Sequence, residues 1–276
     1  MKTVSLFKKH GALNSLPVFR AVEYSLTTLG FRVVDNQTDA DVAVIWSNLW
    51  HGRMYENRNI WNYFKSQNKP VIILEVGSVK RGTTWRIGLN GIKPKNLIYE
   101  TRAVDNQGLF LKDWRAKGDY ILICGQHDKS NFWENMPKQE LWIENCIHTI
   151  RNYTDMTIVV RPHPRCPIKP LKLKNVEYLI PNKIPDTYDE FDLNFENCHS
   201  VVSWSGSAGP HAVISGVPVF CGPDSFAAPV GNLDLNNILS PTMPDRSEWF
   251  EQFLSSEYTL SDIKLGMPLK TLTNYI

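Results

Sequence analysis

The amino-acid sequence predicts an α/β protein made of two similar halves, each built around a parallel β-sheet. Short, almost wholly aliphatic segments such as PVIILEV (70–76) and YILIC (120–124) alternate with amphipathic stretches of helical length. Strands that are buried on both faces and separated by helices are typical of parallel sheets. A chain of 276 residues, 42% hydrophobic and 21% charged, has the size and composition of a globular protein with two domains.

In the first half, strands are predicted over 3–7, 31–34, 41–46 and 70–76. The first helix is expected to start at Ser15, a residue type that caps helices, and to stop at Gly30. A second helix is expected over 56–67. Residues 77–118 are less regular and rich in Gly, Asn and basic side chains, and they are predicted to end in a linker at 111–118.

The second half repeats the alternation. Strands are predicted over 120–124, 157–164, 176–180, 200–204 and 217–221, and helices over 138–153, 188–197 and 210–215. After Gly222, the segment PDSFAAPVGN has too many Pro and Gly residues for a helix or a central strand. Residues 245–265 return to a helical pattern, because DRSEWFEQFL places Trp249, Phe250 and Phe253 at amphipathic spacing.

Composition argues against a membrane span, a signal peptide and a metal centre. No apolar run approaches the ~20 residues that cross a bilayer, and MKTVSLFKKHGALN has no signal-peptide core, so a cytoplasmic protein is expected. The five cysteines form no CxxC pair and no metal-ligand spacing with the histidines, which predicts free thiols, mostly buried. The DAD triplet at 39–41 has the spacing of a metal-binding motif, but it lies among solvent-type residues and is expected to be a surface turn.

Charge is distributed unevenly along the chain. Residues 1–118 hold 18 Lys and Arg against 9 Asp and Glu, a net charge of +9, whereas 119–276 hold 12 against 19, a net charge of −7. A basic surface raises encounter rates with anionic partners, so the first domain is predicted to meet a polyanion or an anionic acceptor. The alternative is that the two halves attract each other. The predicted acceptor-binding residues are Lys80, Arg81, Trp85 and Arg86, with a place in the core as the alternative for Trp85.

The stretch 200–222 (SVVSWSGSAGPHAVISGVPVFCG) is predicted to form a strand, a turn, a helix and a second strand. Its turn of small residues includes Ser205, Gly206 and Ser207, and Pro210 suits the first turn of a helix. Backbone N–H groups at such a turn and the positive end of the helix dipole favour a phosphate. The alternative is an ordinary βαβ unit whose tight turn needs small residues.

Other polar residues come at the predicted carboxyl ends of strands, where open α/β sheets bind ligands. Arg161 and His163 in TIVVRPHP should point to one face, because side chains alternate along a strand. Gly125, Gln126 and His127 follow the first strand of the second half, and Asp224 follows its last. Each of them is a candidate contact for a bound phosphate, ribose or sugar, and chance placement is the alternative.

Glu75 ends the aliphatic strand of the first half and places a carboxylate at the carboxyl edge of that sheet. A Glu at a strand end often only caps a helix or accepts a hydrogen bond. Taken with Arg161, His163 and the turn at Ser205, it completes an ordered set, with an acid in the first domain and cationic groups and a phosphate turn in the second.

These motifs resemble those of the GT-B glycosyltransferases, in particular the group with an acidic-x-Gly motif and an HP motif. That group includes bacterial capsule Kdo transferases and certain sialyltransferases, and small phage-borne relatives are similar as well. The resemblance covers 120–237 best, with LEVGSVKRG and NGI as the link in the first domain. It implies two Rossmann-like domains with a cleft between them: the acceptor on 1–118, the donor nucleotide on 119–245, and C-terminal helices at 246–276 that cross back to the first domain.

The resemblance also assigns roles to individual residues. Glu75 matches the acid of the acidic-x-Gly motif, which would be the general base. His163 matches the histidine of the HP motif, which would bind donor phosphate, and Ser205 and Ser207 match a pair of hydroxyl residues after the last buried strand. Arg161 is added on geometric grounds alone.

Two positions depart from the family pattern. Val76 stands where some members carry a second acid before the Gly. His211 stands near the place of a ribose-binding Glu, so His211 is counted among the nucleotide-binding residues and recognition of the nucleotide is expected to differ.

The predicted function is transfer of a sugar from a UDP- or CMP-linked donor to an acceptor hydroxyl. GT-B enzymes stabilise the departing phosphate with helix N-termini and cations, so neither a metal nor a further cofactor is expected. The acceptor is either a hydroxymethylated base of phage DNA, flipped out of the duplex, or a glycan or lipid hydroxyl. The basic first domain favours DNA, and a phage enzyme would act in the host cytoplasm. A non-catalytic nucleotide-sugar-binding protein is the alternative from another class.

Overall fold

The computed structural model describes three stretches of the chain: 1–115, 117–187 and 189–276. They form two compact units. Unit 1 consists of Met1–Gln107 and Gln252–Ile276, and unit 2 is the continuous stretch Gly108–Glu251. Unit 1 is thus assembled from both ends of the chain, whereas unit 2 is continuous in sequence. The sequence predicts a domain boundary after residue 118 and a C-terminal helical segment that starts at 246.

The described residues contain ten strands and seven α-helices. The strands are β1 Thr3–Leu6, β2 Arg32–Asp35, β3 Val42–Trp46, β4 Val71–Val76, β5 Trp85–Leu89, β6 Tyr120–Cys124, β7 Thr157–Arg161, β8 Val176–Tyr178, β9 Cys198–Val202 and β10 Val219–Phe220. The helices are α1 Leu16–Thr28, α2 Asn57–Ser66, α3 Gln139–Arg151, α4 Ala208–Ile214, α5 Ser247–Ser255, α6 Leu260–Lys264 and α7 Met267–Leu272.

The sheet of unit 1 has the order β2-β1-β3-β4-β5. The first four strands are parallel to one another, which confirms the predicted parallel sheet, and β5 runs antiparallel to β4. No strand is predicted from the sequence within 77–118, so β5 was missed. An antiparallel neighbour needs only a short connection, so a strand could form directly after the turn that follows β4.

Both faces of this sheet are covered, as its aliphatic strands require. Along β4, Ile72 and Leu74 pack into the core formed with α1, α6 and α7. Val71 and Ile73 point to the opposite face and pack with Phe64 of α2. Successive side chains of a strand point to opposite faces, so burial on both sides explains why the β4 sequence is a run of aliphatic residues without alternation.

The sheet of unit 2 has the order β10-β9-β6-β7-β8, and every pairing in it is parallel. Its strands contribute Ile121, Ile123 and Val160 to a core that includes Ile143 and Ile147 of α3. The sheet places the carboxyl ends of β9, β6 and β7 side by side, so the loops that follow these three strands lie at one edge.

Some predicted elements are corrected by the structure. The helix expected over 188–197 does not form in 189–197, and Tyr188 lies outside the described residues. Asp189 and Asn197 adopt positive φ angles of 54° and 53°, and the Asn194 side chain accepts a hydrogen bond from Glu196 N at 2.8 Å. Asn and Asp stabilise such turns at the expense of a helix.

The start of α1 also differs in detail from the prediction. Ser15 precedes the helix, but its hydroxyl donates to the Ala12 carbonyl at 2.7 Å, and it makes no capping hydrogen bond. The end of the helix follows the prediction, since Gly30 has a φ of +86°, which glycine adopts without steric cost.

All five cysteines are free thiols, in agreement with the prediction, and only Cys166 is not buried. Across 1–115, 117–187 and 189–276, no helix combines the length and the apolar character needed to cross a membrane.

Candidate functional site

Glu75 occupies the carboxyl end of β4 in unit 1 and is partly buried. Its Oε2 accepts a hydrogen bond from Ser47 Oγ at 2.6 Å, and its Oε1 accepts one from Val76 N at 2.9 Å. Ser47 follows β3 with a φ of +61°, and its Oγ also accepts from Leu49 N at 2.9 Å. The carboxylate is thus oriented by the end of the neighbouring strand, in a residue that is only partly buried. Its role as a base stays a prediction.

The glycine of the acidic-x-Gly motif packs against a second carboxylate. A side chain at Gly77 would collide with Glu257 Oε2 and would lie 2.5 Å from the Thr84 carbonyl oxygen. The Glu257 side chain is fully buried, and it accepts hydrogen bonds from Ser78 N, from Val79 N at 2.8 Å and from Thr84 Oγ1 at 2.6 Å. Glu257 therefore fixes the loop between β4 and β5, a role that the sequence analysis missed.

The predicted acceptor-binding residues lie in this loop and at the start of β5. Arg86 lies 3.7 Å from Glu257, measured from Nε to Oε1, and its Nη2 donates to the Val76 carbonyl at 3.2 Å. Trp85 is 6% exposed and belongs to the hydrophobic core of unit 1. An aromatic ring buried in the core cannot stack on an acceptor, so the assignment of Trp85 is corrected. Lys80 is exposed and Arg81 is half-buried, so only Lys80 of the four presents its side chain fully to solvent.

The Ser205 turn of unit 2 follows β9, as the sequence predicted. Gln126 Oε1 accepts hydrogen bonds from Ser205 N at 3.1 Å and from Ser205 Oγ at 2.8 Å. Gly206 packs close to the Ser203 hydroxyl, which would lie 3.2 Å from a Cβ at position 206. Ser207 directly precedes α4 without making a side-chain cap and is exposed. Gln126 thus holds the turn in place by contacts within the protein.

Arg161, at the end of β7, is buried. Its Nη2 donates to the Asp192 carbonyl oxygen at 2.5 Å and lies 3.9 Å from Asp192 Oδ1. Hydrogen bonds from Asn182 and then the Arg161 guanidinium lower the pKa of the Asp192 carboxyl below its usual value. Arg161 therefore fastens the segment around residue 192 to the sheet. Within the described residues its Nε meets no hydrogen-bond partner, so a further contact there is compatible with the fold.

His163 and His127 lie together at the ends of β7 and β6. Their rings are 5.4 Å apart in an edge-to-face arrangement. His163 Nδ1 accepts a hydrogen bond from Arg165 N, and His127 Nδ1 accepts one from Lys129 N, each at 3.1 Å. In its neutral form each imidazole therefore carries its proton on Nε2. The structure thus places His127, itself a predicted candidate contact, beside the predicted phosphate ligand His163.

Three further predicted donor-binding residues lie after β6, within α4 and after β10. Gly125 N donates to the Arg161 carbonyl at 2.8 Å. His211 lies in α4, and its backbone N donates to the Ser207 carbonyl at 3.2 Å. Asp224 lies, partly buried, in the loop that follows β10. Direct contact of these residues with a donor stays a prediction.

The charge asymmetry persists when the observed units replace the predicted halves. Unit 1 holds 17 Lys and Arg against 10 Asp and Glu, and unit 2 holds 13 against 18, which gives net charges of +7 and −5.

Asp41 of the DAD triplet accepts a hydrogen bond from Thr3 N at 2.7 Å. Among the described residues, no group of three or more His, Cys, Asp or Glu side chains is arranged to hold a metal ion.

The chain was compared with known proteins. No protein-family model matches the sequence, and no curated protein matches it. Among solved structures, the KpsC beta Kdo 2,4 transferase of Thermosulfurimonas dismutans is similar with a TM-score of 0.53 at 12% identity, over 92% of this chain and 90% of that one. The chain has a GT-B-like fold.

Two other solved structures match the chain with TM-scores below 0.5. The KpsC beta Kdo 2,7 transferase of Thermosulfurimonas dismutans matches at 16% identity and a TM-score of 0.47, over 97% of this chain and 98% of that one. The UDP-GlcNAc 2-epimerase of Methanocaldococcus jannaschii, solved with UDP-GlcNAc and UDP, matches at 12% identity and a TM-score of 0.36, over 99% of both chains. The GT-B-like fold confirms the predicted fold class of two Rossmann-like domains, and at 12% identity the likeness to the beta Kdo 2,4 transferase concerns the fold alone.

Proposed function

We propose that this protein is a glycosyltransferase that moves a sugar from a nucleotide-sugar donor to an acceptor hydroxyl. The observation that carries the proposal is the GT-B-like fold, which matches a beta Kdo 2,4 transferase over 92% of the chain. The polar residues at the strand ends of both units supply the chemical groups that such a reaction needs.

Unit 2 binds the donor in this proposal. A departing nucleotide phosphate develops negative charge that preorganised cations and hydrogen-bond donors stabilise. His163, Arg161 and the hydroxyls of Ser205 and Ser207 are groups of that kind at the carboxyl edge of the second sheet. The donor is UDP- or CMP-linked, and the reaction uses these groups in place of a metal.

Unit 1 supplies the base. Deprotonation of an acceptor hydroxyl by a positioned carboxylate typically contributes about 10²–10⁴ in rate. Glu75 has the position and the partial exposure for this role, and the 2.6 Å hydrogen bond from Ser47 orients its carboxylate.

The acceptor in this proposal is a glycan or lipid hydroxyl. Two observations favour it over a DNA base: Trp85 is in the core, and Arg86 is engaged by Glu257. If DNA were nevertheless the acceptor, Lys80 and other basic residues would bind its phosphates, and affinity would fall steeply with salt. Titration of labelled duplex at several salt concentrations tests this, and we expect no measurable binding. The five free thiols are in keeping with the cytoplasmic location that we propose.

The deciding experiment incubates the full chain with a panel of UDP- and CMP-linked sugars and follows each donor by mass spectrometry. A glycosyltransferase should release free nucleotide from one donor, and release should rise when the correct acceptor is added. Saturable binding of a donor without any release, with every acceptor tried, would instead identify a non-catalytic nucleotide-sugar-binding protein.

A further inference from the structure

A series of neutral hydrogen bonds links three segments beneath the Ser205 turn. Gln139, the first residue of α3, is 2% exposed, and its Oε1 accepts a hydrogen bond from Gln126 N at 3.1 Å. The Gln126 side chain in turn accepts from both the backbone N and the hydroxyl of Ser205. The series runs from α3 through the loop after β6 to the turn after β9.

The donors fix the direction of both amides. A backbone N–H can only donate, so the atom of Gln139 that faces Gln126 N is an oxygen, and the same holds for the atom of Gln126 that faces Ser205 N. The Nε2 of Gln126 then lies 3.4 Å from Ser130 Oγ, and in the described part of the chain Gln139 Nε2 has no hydrogen-bond partner. Each glutamine therefore acts in this series chiefly as an acceptor.

Gly125 allows the Gln139 side chain to approach so closely. A Cβ at position 125 would lie 2.7 Å from Gln139 Oε1 and 3.0 Å from His163 N. The backbone cannot easily move aside, because Gly125 N donates to the Arg161 carbonyl at 2.8 Å. The absence of a side chain at Gly125 thus has a steric explanation that does not require contact with a ligand.

We propose that Gln139 is a positioning residue for the donor site: acting through Gln126, it sets the backbone and hydroxyl of Ser205 where the nucleotide phosphate binds. Gln139 is too buried to touch a donor itself, so its influence must pass through Gln126. The proposal rests on the proposed donor function of the Ser205 turn. It also gives Gln126 a different role from the direct donor contact predicted from sequence.

The first test uses hydrogen exchange of the full chain without any substrate. Gln139→Met and Gln126→Met remove the acceptor oxygens with little change in side-chain volume. Exchange in the peptide 203–209 should rise about tenfold, the factor expected for one lost hydrogen bond. Ile147→Val is the matched control, because it weakens the buried face of α3 without touching the series, and it should leave that peptide unchanged. Equal exchange in Gln139→Met and the native protein would overturn the proposal.

The second test measures binding of UDP and of CMP by calorimetry. Both Met variants should lose about tenfold in affinity for the nucleotide that binds, whereas Ile147→Val should not. Gln126→Glu keeps an acceptor for Ser205, so the peptide 203–209 of this variant should stay protected from exchange. The nucleotide affinity of the same variant should fall as pH rises through the pKa of the new carboxyl group, because a negative charge then develops near the phosphates. Raised exchange with unchanged nucleotide affinity would reduce Gln139 to a structural role and overturn the proposal. If the native protein binds neither nucleotide, the donor function fails, and the exchange result still decides whether the series exists.

Discussion

The loop after β4 in unit 1 and the Ser205 turn after β9 in unit 2 are held in place by different chemistry. At the end of β4 in unit 1, ionised groups do the holding: the loop that follows Glu75 is fixed by the buried carboxylate of Glu257, with Arg86 beside it. At the ends of β6 and β9 in unit 2, the Ser205 turn is fixed by the neutral amides of Gln126 and Gln139. Both arrangements orient a loop, but only the first depends on compensating buried charges.

This difference implies different sensitivities to mutation. Removal of one partner of a buried ion pair leaves an uncompensated charge, which is strongly destabilising. Loss of one neutral hydrogen bond costs much less. Substitutions around Glu257 should therefore affect the stability of unit 1, whereas those in the amide series should mainly adjust the geometry of the Ser205 turn.

The largest effect is expected for Glu257→Ala. The change leaves Arg86 without its buried carboxylate and two backbone N–H groups without an acceptor, so we expect a loss of about 3–5 kcal/mol in the free energy of unfolding. Urea denaturation monitored in unit 1 measures it. Glu100→Ala, at an exposed position of unit 1, is the matched control and should change stability by no more than about 0.5 kcal/mol. A loss below about 1 kcal/mol for Glu257→Ala would show that the two units do not differ as described.

Next in size is the effect of Glu75→Gln on catalysis. Gln keeps the size of the side chain and an acceptor for Ser47, but it removes basicity. Sugar transfer should fall at least about a hundredfold while donor binding and stability are retained. Rates of product formation under saturating donor measure this, with the exposed Glu100→Gln as control. A near-native rate for Glu75→Gln would place the base elsewhere.

A smaller effect is expected for His163→Ala in unit 2. If the imidazole binds a donor phosphate, nucleotide affinity should weaken by about 1.5–3 kcal/mol, the range for hydrogen bonds to charged groups. His148→Ala is the control, because His148 is exposed on α3. Calorimetry measures both affinities. Unchanged nucleotide affinity in the His163→Ala variant would remove His163 from the donor site. Arg161→Ala is a less direct test, because Arg161 also binds the Asp192 backbone.

The last prediction concerns the stability of the two units at alkaline pH. At neutral pH no effect is expected. Burial raises the pKa of Cys124, Cys146 and Cys198, all in unit 2, to about 12. An unfolded thiol has a pKa of about 8.5, so the folded state is favoured below that pH, and this contribution is lost as pH rises from about 8.5 towards 12. In unit 1, burial raises the pKa of Tyr258 to about 12, but an unfolded tyrosine ionises only near pH 10.

Unit 2 should therefore open first as pH rises. Alkylation followed by peptide mass spectrometry measures the opening, because the buried thiols of unit 2 become reactive when they are exposed. Cys146→Ala should move the onset of reactivity at the other thiols to higher pH. Earlier loss of protection in the β1–β4 peptides of unit 1 would contradict the prediction.

The sequence predicted those features that depend on neighbouring residues. The aliphatic run of β4 and the small residues at 205–207 carry local signals, so the parallel sheet and the turn were found. Glu257 was missed because its hydrogen bond to Ser78 joins residues 179 positions apart, and nothing in its local sequence marks it as buried. Trp85 was misjudged because its neighbours are basic, whereas its burial is decided by pairing of β5 with β4.

The same long separation between Ser78 and Glu257 has a consequence for how the protein is made. A ribosome delivers the chain from its N-terminus, and domains generally fold as units during synthesis. Unit 2 is completely synthesised once Glu251 has been added. The loop that follows Glu75 cannot form its hydrogen bonds to Glu257 until residue 257 has been added as well. The loop next to the proposed base is thus completed only after all of unit 2 has been synthesised, and a premature stop near residue 250 would impair this early-translated loop while leaving almost every residue of unit 2 in place.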